Sequence, residues 1–334
     1  MAGVATEPGA GVLTDSFGRS ITDLRVSITD RCNYRCVYCR DERAAEDGGG
    51  HALSWDQLER LARVFAGLGI RKVRLTGGEP LLRPGVAGHI AFLAGLGVAE
   101  IALTTNGHLL APMAAELRRA GLSRVTISLD SLQPEKFARI TRVPEALPRV
   151  LAAIEAAQAA GLPVKVNVVL LRGVNDDEIE ALAGFARERA VTVRFIEFMP
   201  LEQGGLWTPA RVVPMREIVE RIERVHALAP LPLRVSETAR RYRFADGAAG
   251  EIGVIAPVTS PFCNQCSRIR VTADGKLRTC LFSVREWDLL PALGEGEAAL
   301  RERILHAVHL KEERHHIGEP GFVKPARAMV QIGG

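Results

Sequence analysis

Six short runs rich in β-branched residues alternate with segments of helical periodicity from residue 22 onward. Because strands and helices in alternation form parallel sheets, this pattern predicts an α/β fold. No Gly-rich dinucleotide-binding sequence follows the first run, and the candidate functional motifs fall near the ends of different strands. This distribution favours an incomplete, six-stranded TIM-type β/α barrel over an open doubly wound sheet. The six runs read TDLRVSI, KVRLT, EIALT, SRVTISL, VKVNVVLL and VTVRFIEF.

The helical segments carry their apolar residues on one face, as helices that cover a sheet do. The first begins at Ser54, where Gln57 three residues later predicts a capping box, and it ends before Gly69. Further apolar stripes lie within residues 110–117, 150–157 and 179–185. We expect these helices to pack on the outside of the barrel.

Alternation within the strands indicates which side chains point into the barrel. Leu24 and Val26 share one face of the first strand and Arg25 lies on the other, and later strands repeat the pattern. Since the apolar face meets the covering helices, Arg25, Arg74 and Lys165 are predicted to point inward. A buried unpaired charge is costly, so such an interior requires an anion. The alternative is that some of these strands are edge strands with one solvated face.

The pattern changes after Met199. Residues 201–334 contain a helix around MREIVERIERV, two β-like runs (RRYRF and EIGVIAP) and a final helix over roughly 295–313. We interpret this region as an α+β elaboration that closes the open side of the barrel. The predicted organisation is therefore a disordered tail (1–15), a partial barrel (16–200) and a C-terminal region (201–334).

The formal net charge of +4 is too small to indicate a nucleic-acid or membrane surface, although an anionic small substrate would fit it. The first residues lack the basic and apolar regions of a signal peptide. No later stretch offers about 18 uninterrupted apolar residues. These features predict a cytoplasmic protein with neither nucleic acid nor membrane as partner.

All six cysteines fall into two groups of three, Cys32, Cys36 and Cys39, and Cys263, Cys266 and Cys280. A disulfide framework is typical of short secreted chains, which this is not. Structural zinc sites use four ligands, and catalytic zinc sites typically include histidine, but neither group has a histidine within ten residues. A four-iron cubane held by three cysteines leaves one iron open for chemistry. The second group, taken alone, is also compatible with a zinc knuckle.

The CxxxCxxC spacing after the first strand, with Tyr38 before the last cysteine, resembles the signature of the radical S-adenosylmethionine (SAM) superfamily. The TGGEP sequence after the second strand lies where that superfamily binds the amino group of SAM. Gly77 and Gly78 allow close approach of a ligand to the backbone, Glu79 offers a carboxylate to an ammonium group, and Pro80 can start a helix.

Within that superfamily the chain resembles the GTP 3',8-cyclases, the family of molybdenum-cofactor biosynthesis protein A. The likeness extends from about residue 16 to the last glycine, and Arg40 departs from the family, which usually has an apolar residue followed by proline there. The matching stretches are LRVSITDRCNYRCVYC, KVRLTGGEP, TTNG, SLDS, KVNVVL, RFIEFM, FCNQCSRIRVTADGKLRTCLF and the terminal GG.

The resemblance implies that the first cysteine group holds a [4Fe-4S] cluster whose open iron chelates SAM. It places Tyr38, Gly78, Ser128 and Met199 around SAM. Ordinary core packing is the alternative for Met199. The second cysteine group is implied to hold a second [4Fe-4S] cluster that meets the guanine of GTP, and the C-terminal glycines are implied to enter the site.

GTP itself is implied to contact residues on several strands, with Arg268 and Arg270 also catalytic; surface exposure is the alternative for these two arginines. The implied reaction uses a 5'-deoxyadenosyl radical to remove hydrogen from C3' of GTP, after which the C3' radical bonds to C8 of guanine. A later reduction step then completes (8S)-3',8-cyclo-7,8-dihydroguanosine 5'-triphosphate. The implied GTP contacts are Arg25, Arg74, Thr104, Lys165, Arg268, Ile269 and Arg270.

The implied partners are an electron donor and the cyclic pyranopterin monophosphate synthase that receives the product, and the protein is expected to be a monomer or a homodimer. Two other functions stay open on the residues alone. One is a radical SAM enzyme that acts on a peptide or RNA, and the other is a non-catalytic iron-sulfur or zinc protein.

Overall fold

A computed structural model describes residues 12–40, 52–234 and 236–333. Within these ranges, twelve strands form one sheet in the order β12-β11-β10-β1-β2-β3-β4-β5-β6-β9-β8-β7. The strands are β1 (Asp23–Thr29), β2 (Lys72–Gly77), β3 (Glu100–Thr105), β4 (Arg124–Ser128), β5 (Val164–Leu170), β6 (Thr192–Glu197), β7 (Leu228–Pro230), β8 (Arg240–Phe244), β9 (Glu251–Ile255), β10 (Arg268–Val271), β11 (Lys276–Arg278) and β12 (Trp287–Asp288).

The predicted α/β fold is confirmed, and the six predicted strands are β1 to β6. They lie side by side in sequence order, and each pairs in parallel with the next. Parallel neighbours place all six carboxyl ends at the same edge of the sheet, and the loops that carry the cysteine, GGEP and TTNG motifs leave from that edge.

The sheet is larger than the sequence predicts. Strand β9 pairs in parallel with β6, and β10 pairs in parallel with β1, so the C-terminal region extends both edges of the sheet. The sequence did not predict this pairing, and the interpretation of residues 201–334 as an elaboration that closes the open side of the barrel stays a prediction. The physical reason for the pairing is that Ile252 and Val254, like Ile269 and Val271, form an apolar face that continues the core beyond β1 and β6.

The predicted capping box is present at the first helix, where the Gln57 amide donates to Ser54 Oγ and the Ser54 amide donates to Gln57 Oε1. Helices α2 and α4 lack a counterpart in the sequence reading, because both are short and α2 is apolar nearly all round. The helices are α1 (Trp55–Gly67), α2 (Val86–Gly95), α3 (Leu110–Arg119), α4 (Pro134–Thr141), α5 (Ala146–Ala159), α6 (Ile179–Glu188), α7 (Met215–Glu223), α8 (Leu290–Glu295), α9 (Glu297–His309) and α10 (Met329–Ile332).

The N-terminal segment is ordered over residues 12–15, which the sequence reading assigned to a disordered tail. Leu13 is 1% exposed and its amide donates to the Leu68 carbonyl. Asp15 pairs with Arg19 at 2.6 Å. The burial of Leu13 in the main core explains the order, and residues 1–11 lie outside the described ranges. Among the described residues, no helix has the length and apolar character needed to cross a membrane.

Candidate active site

A cavity of about 240 Å³ lies against the inward face of the sheet. Its lining comes from strands β1 to β6 together with β9 and β10, so the sheet curves around it. Six of the seven side chains predicted to contact the substrate line this cavity: Arg25, Arg74, Thr104, Lys165, Arg268 and Arg270. The alternation rule therefore identified the inward face correctly. Arg270 is buried, and Arg268 is half-buried.

The cations of the cavity lie close together and are largely buried. Burial, reinforced by the charge of Arg268, lowers the pKa of Arg25 to about 10. Burial and Arg194 lower the pKa of Lys165 to about 8. Burial also holds the pKa of Arg74 well below its usual value, although its guanidinium donates to Thr104 Oγ1 at 3.1 Å and Thr126 Oγ1 at 3.2 Å. Like charges this close favour a polyanionic ligand, which would relieve their mutual repulsion.

Sequence reasoning missed further cations on the same face. Lys72 and Arg124 also line the cavity, but Glu100 pairs with them at 3.0 and 2.5 Å. Arg194 is a third such cation, and its guanidinium donates to Thr126 Oγ1 at 3.2 Å. The period-2 alternation of VTVRF contained the signal for Arg194, since Thr192 and Arg194 both face the cavity.

The side chain of Ile269, the seventh predicted contact, does not line the cavity. It is 0% exposed and packs in the main core, on the face of β10 opposite to Arg268 and Arg270. Its strand partner is Leu24, which shares that apolar face in β1. Alternation along the strand excludes the side chain of the middle residue from the cavity.

Cys32, Cys36 and Cys39 lie on the loop that follows β1, at the carboxyl edge of the sheet. The end of α4 holds this loop, because the Arg35 amide donates to the Thr141 carbonyl and the Val37 amide donates to the Ile140 carbonyl. The Tyr34 amide donates to Cys32 Sγ at 3.4 Å. Burial raises the pKa of Cys32 to about 11 and that of Cys39 to about 12, so these thiols are protonated until a metal takes the proton's place.

The two glycines of TGGEP approach the protein's own backbone. A Cβ at Gly77 would lie 2.1 Å from the Thr29 carbonyl oxygen, and one at Gly78 would lie 2.2 Å from the Arg31 carbonyl oxygen. The Glu79 amide donates to that same Arg31 oxygen at 2.8 Å. These glycines therefore let the GGEP loop pack against the entry to the cysteine loop, and their contact with a ligand stays a prediction.

The carboxylate of Glu79 is not accessible to an ammonium ligand in this structure. It is 0% exposed, and its carboxylate accepts from Thr105 Oγ1 at 2.8 Å, from the Asn106 amide at 2.7 Å and from the Leu81 amide at 3.0 Å. Burial raises its pKa to about 7. Its role in this structure is to bind the TTNG loop to the start of the short 3₁₀ helix at Pro80.

The remaining predicted SAM contacts lie around the same edge. Tyr38 donates from its hydroxyl to Asp130 Oδ2 at 2.6 Å, and the Val169 amide donates to Asp130 Oδ1 at 2.8 Å. Asp130 thus ties the cysteine loop to β5, a role that sequence reasoning missed. Ser128 ends β4 two residues beyond Thr126, on the inward face. Met199 lines the cavity and also packs with the small cluster around Leu201.

The second cysteine group lies at the opposite end of the strands. Cys263 and Cys266 precede β10, which runs parallel to β1, whereas the first group follows β1. Cys280 follows β11, which is antiparallel to β10, and so returns to the same end. At about 3.3 Å per residue, the seven residues of β1 separate the two groups by roughly 20 Å. The cationic cavity lies between them, with all three cysteines of the second group in its lining.

In the second group, the surroundings of Cys266 favour anionic sulfur, whereas burial raises the pKa of Cys280. Arg268 donates to Cys266 Sγ at 3.3 Å, and the Phe282 amide donates to Cys280 Sγ at 3.5 Å. Although burial alone would raise it, Arg268 and Lys311 bring the pKa of Cys266 down to about 6. Sequence reasoning missed both Lys311 and His315, which lines the cavity edge-on to Phe282.

The C-terminal end enters this cavity wall. Arg270 donates to the carbonyl oxygens of Ile332 and Gly333. Gly333 has a φ of +72° and lies against Ser27 and Thr76 on β1 and β2. The prediction that the C-terminal glycines reach the site therefore agrees with the position of Gly333, while Gly334 lies outside the described residues.

The donors present fit iron-sulfur clusters. Among the described residues, no three histidine, cysteine or carboxylate side chains converge as ligands of a single metal ion. A cubane is larger than one ion and holds its thiolates further apart. Each cysteine group has one backbone N–H directed at one of its sulfurs, as cluster sites do. Arg40 is buried beside the first group, and its amide donates to the Cys36 carbonyl. The path of the loop after Arg40 lies outside the described residues.

A curved α/β sheet with three free thiols on the loop after its first strand defines a radical SAM protein. In agreement, residues 26–186 match the Radical SAM superfamily, and residues 191–317 match the family described as Molybdenum Cofactor Synthesis C. SuiB of Streptococcus suis has the same kind of fold, with a TM-score of 0.59 and 16% identity over 78% of this chain and 60% of that chain.

Its relatives place the chain more narrowly. The GTP 3',8-cyclase of Geobacter sulfurreducens is 44% identical over 326 residues, which cover 96% of this chain and 99% of the relative. The GTP 3',8-cyclase of Thermodesulfovibrio yellowstonii is 44% identical over 329 residues, covering 96% and 100%. The chain belongs to the GTP 3',8-cyclase family.

Proposed function

We propose that this protein is a GTP 3',8-cyclase that converts GTP to (8S)-3',8-cyclo-7,8-dihydroguanosine 5'-triphosphate in molybdenum-cofactor biosynthesis. The observation that carries the proposal is the cavity of buried cations between two groups of free cysteines. A triphosphate would supply negative charge to a lining in which arginine and lysine side chains outnumber the carboxylates of Asp23 and Glu237. The near full-length relatives support the same reaction.

We assign the first [4Fe-4S] cluster to Cys32, Cys36 and Cys39, on a partial barrel formed by β1 to β6. When bound, the cluster supplies the electron that cleaves SAM to methionine and a 5'-deoxyadenosyl radical. Tyr38, Gly78, Ser128 and Met199 are the proposed SAM contacts. Because Asp130 accepts the Tyr38 hydroxyl and GGEP packs on the backbone before Cys32, these residues orient the loop rather than transfer protons.

GTP is proposed to bind with its triphosphate among Arg25, Arg74 and Lys165, next to Thr104. Its base would then face Cys263, Cys266 and Cys280, which we assign to a second [4Fe-4S] cluster, and its ribose would face the first group. Arg268 and Arg270 stand between these parts, and Arg270 also holds the C-terminal segment. Bond formation between C3' and C8 requires no acid or base from the chain, so its contribution is to position GTP and to exclude water.

The proposal includes three partners: an external one-electron donor, the cyclic pyranopterin monophosphate synthase that takes the product, and GTP. We propose that the chain works as a monomer or a homodimer.

The test is anaerobic. The reconstituted protein is given SAM and dithionite with GTP, with ATP or without nucleotide, and 5'-deoxyadenosine is quantified. We expect formation stimulated by GTP, with deuterium transferred from GTP labelled at C3'. Cleavage of SAM that is indifferent to nucleotide would transfer the substrate assignment to a peptide or RNA, and a fully loaded protein without cleavage would refute the enzymatic function.

A further inference from the structure

Lys311 is a buried lysine just beyond α9 with no part in the mechanism above. It is 3% exposed. Its ammonium donates to the carbonyl oxygen of Arg268 at 3.2 Å and to the carbonyl oxygen of Thr279. Arg268 follows Cys266 by two residues, and Thr279 directly precedes Cys280. Lys311 therefore contacts both segments that carry the second cysteine group.

The partners of this ammonium are neutral. Among the described residues, it donates to these two carbonyls and to no carboxylate. Its sequence neighbour Glu312 does not pair with it, since Glu312 Oε2 accepts from Thr279 Oγ1 at 2.6 Å. A buried ammonium without a counter-charge is expensive, so the fold must place negative charge close by. The thiol groups of Cys266 and Cys280 are the groups there that become anionic when they bind metal.

We propose that Lys311 is the fixed counter-charge of the second cysteine site, and that its charge raises the reduction potential of the iron-sulfur cluster held there. The inference rests on the second cluster of the proposed function. Reduction of the cluster takes one electron from an external one-electron donor and adds one negative charge without a proton. A neighbouring ammonium stabilises the reduced state more than the oxidised state, so the potential rises.

The competing role is purely structural, with Lys311 joining β10, β11 and the segment after α9 through hydrogen bonds. Charge and hydrogen bonding can be separated by substitution. Lys311→Arg keeps a positive charge, whereas Lys311→Met keeps the length and apolar stem but removes the charge. Lys324→Met is the matched control, since Lys324 pairs with Glu202 at 3.4 Å and does not line the cavity.

The experiment uses the full chain with Cys32, Cys36 and Cys39 replaced by Ala, so that only the second site is loaded. Iron per chain is measured after anaerobic reconstitution, and the reduction potential is determined by EPR-monitored titration with dithionite. We expect Lys311→Met to lower the equilibrium constant for one-electron reduction at least tenfold, which corresponds to about 59 mV. Lys311→Arg and Lys324→Met are expected to remain within a factor of three of the parent.

Loss of iron from Lys311→Met with retention in Lys311→Arg also supports the charge role. Equal potentials in all variants would overturn it, as would equal loss of iron from both Lys311 variants with an unchanged far-UV circular dichroism spectrum. A parent that binds no iron would refute the second cluster itself, and the inference with it. If the proposed GTP reaction fails but Lys311→Met still lowers the reduction potential as expected, the role of Lys311 remains supported.

Discussion

The packing of the GGEP loop against the cysteine loop makes Gly78→Ala the most informative single substitution. The added Cβ would lie 2.2 Å from the Arg31 carbonyl oxygen and 2.6 Å from its carbonyl carbon. Ordinary contacts begin at 3.4 Å, so the two backbones must separate by about 1.2 Å. Both obstructing atoms are backbone atoms, which cannot rotate away as a side chain can.

The cost follows from what holds the loops together. The Gly78 amide donates to the Thr29 carbonyl and the Glu79 amide donates to the Arg31 carbonyl, both at 2.8 Å. Overpacking costs about 1–3 kcal/mol, and each weakened hydrogen bond costs about 0.5–1.5 kcal/mol. We therefore expect Gly78→Ala to lower the free energy of unfolding by about 2–6 kcal/mol. Because Arg31 directly precedes Cys32, we also expect loss of iron from the first site.

The assay is guanidinium denaturation of the metal-free protein together with iron analysis after anaerobic reconstitution. Gly88→Ala is the matched control, because a Cβ at Gly88 in α2 meets nothing within 4 Å. Alanine is the better helix former, so this control should gain about 0.5–1 kcal/mol. A Gly78→Ala protein with wild-type stability and full iron loading would refute the reasoning.

Three other expectations are independent of that loop contact. The pKa of Lys165 is about 8 in the free cavity, so its charge is lost above that pH. The dissociation constant for GTP, measured by calorimetry, should therefore rise between pH 7 and 9, by at most about tenfold per pH unit. Lys165→Arg should remove this dependence. Tyr38→Phe leaves the Asp130 carboxylate without its hydroxyl donor, which should lower the free energy of unfolding by about 1–3 kcal/mol in denaturation at pH 8. The loss should be smaller at pH 5, because burial raises the pKa of Asp130 to about 6 and the group is protonated at pH 5. Ile269→Val should lower the free energy of unfolding by about 0.5–1.5 kcal/mol, while the affinity for GTP in the same calorimetric titration stays unchanged. A weakened affinity would contradict the core position of this side chain.

Local periodicity was sufficient to predict strands β1 to β6 and their inward cations, because the direction of a side chain in a strand depends only on its immediate neighbours. Arg25, Arg74 and Lys165 were found in this way. The same rule, applied to β10, would have excluded Ile269, which entered only by resemblance to the family. Where strand geometry and resemblance disagreed, strand geometry gave the correct position of the side chain.

Contacts between distant segments were beyond the reach of the sequence. The sequence shows that the glycines of GGEP allow a close approach, but only the structure shows that the backbone of Arg31 is one of the groups that approaches them. The partner of Glu79 is a loop on the next strand, and Lys311 meets the cysteine segments from beyond α9. Neither the residue types nor their spacing in the chain encodes these contacts.

The pairing of β10 with β1 has a consequence for the synthesis of the protein. Ser267, at the entry to β10, donates to Asp23 of β1 across 244 residues of chain. At about 5–20 residues per second, a ribosome needs on the order of tens of seconds to cover that distance. Throughout this interval the nascent β1 has an open edge towards the side that β10 later covers, and open strand edges attract other chains. The growing chain thus depends on chaperones or on rapid completion, and any truncation before residue 268 would leave that edge permanently exposed.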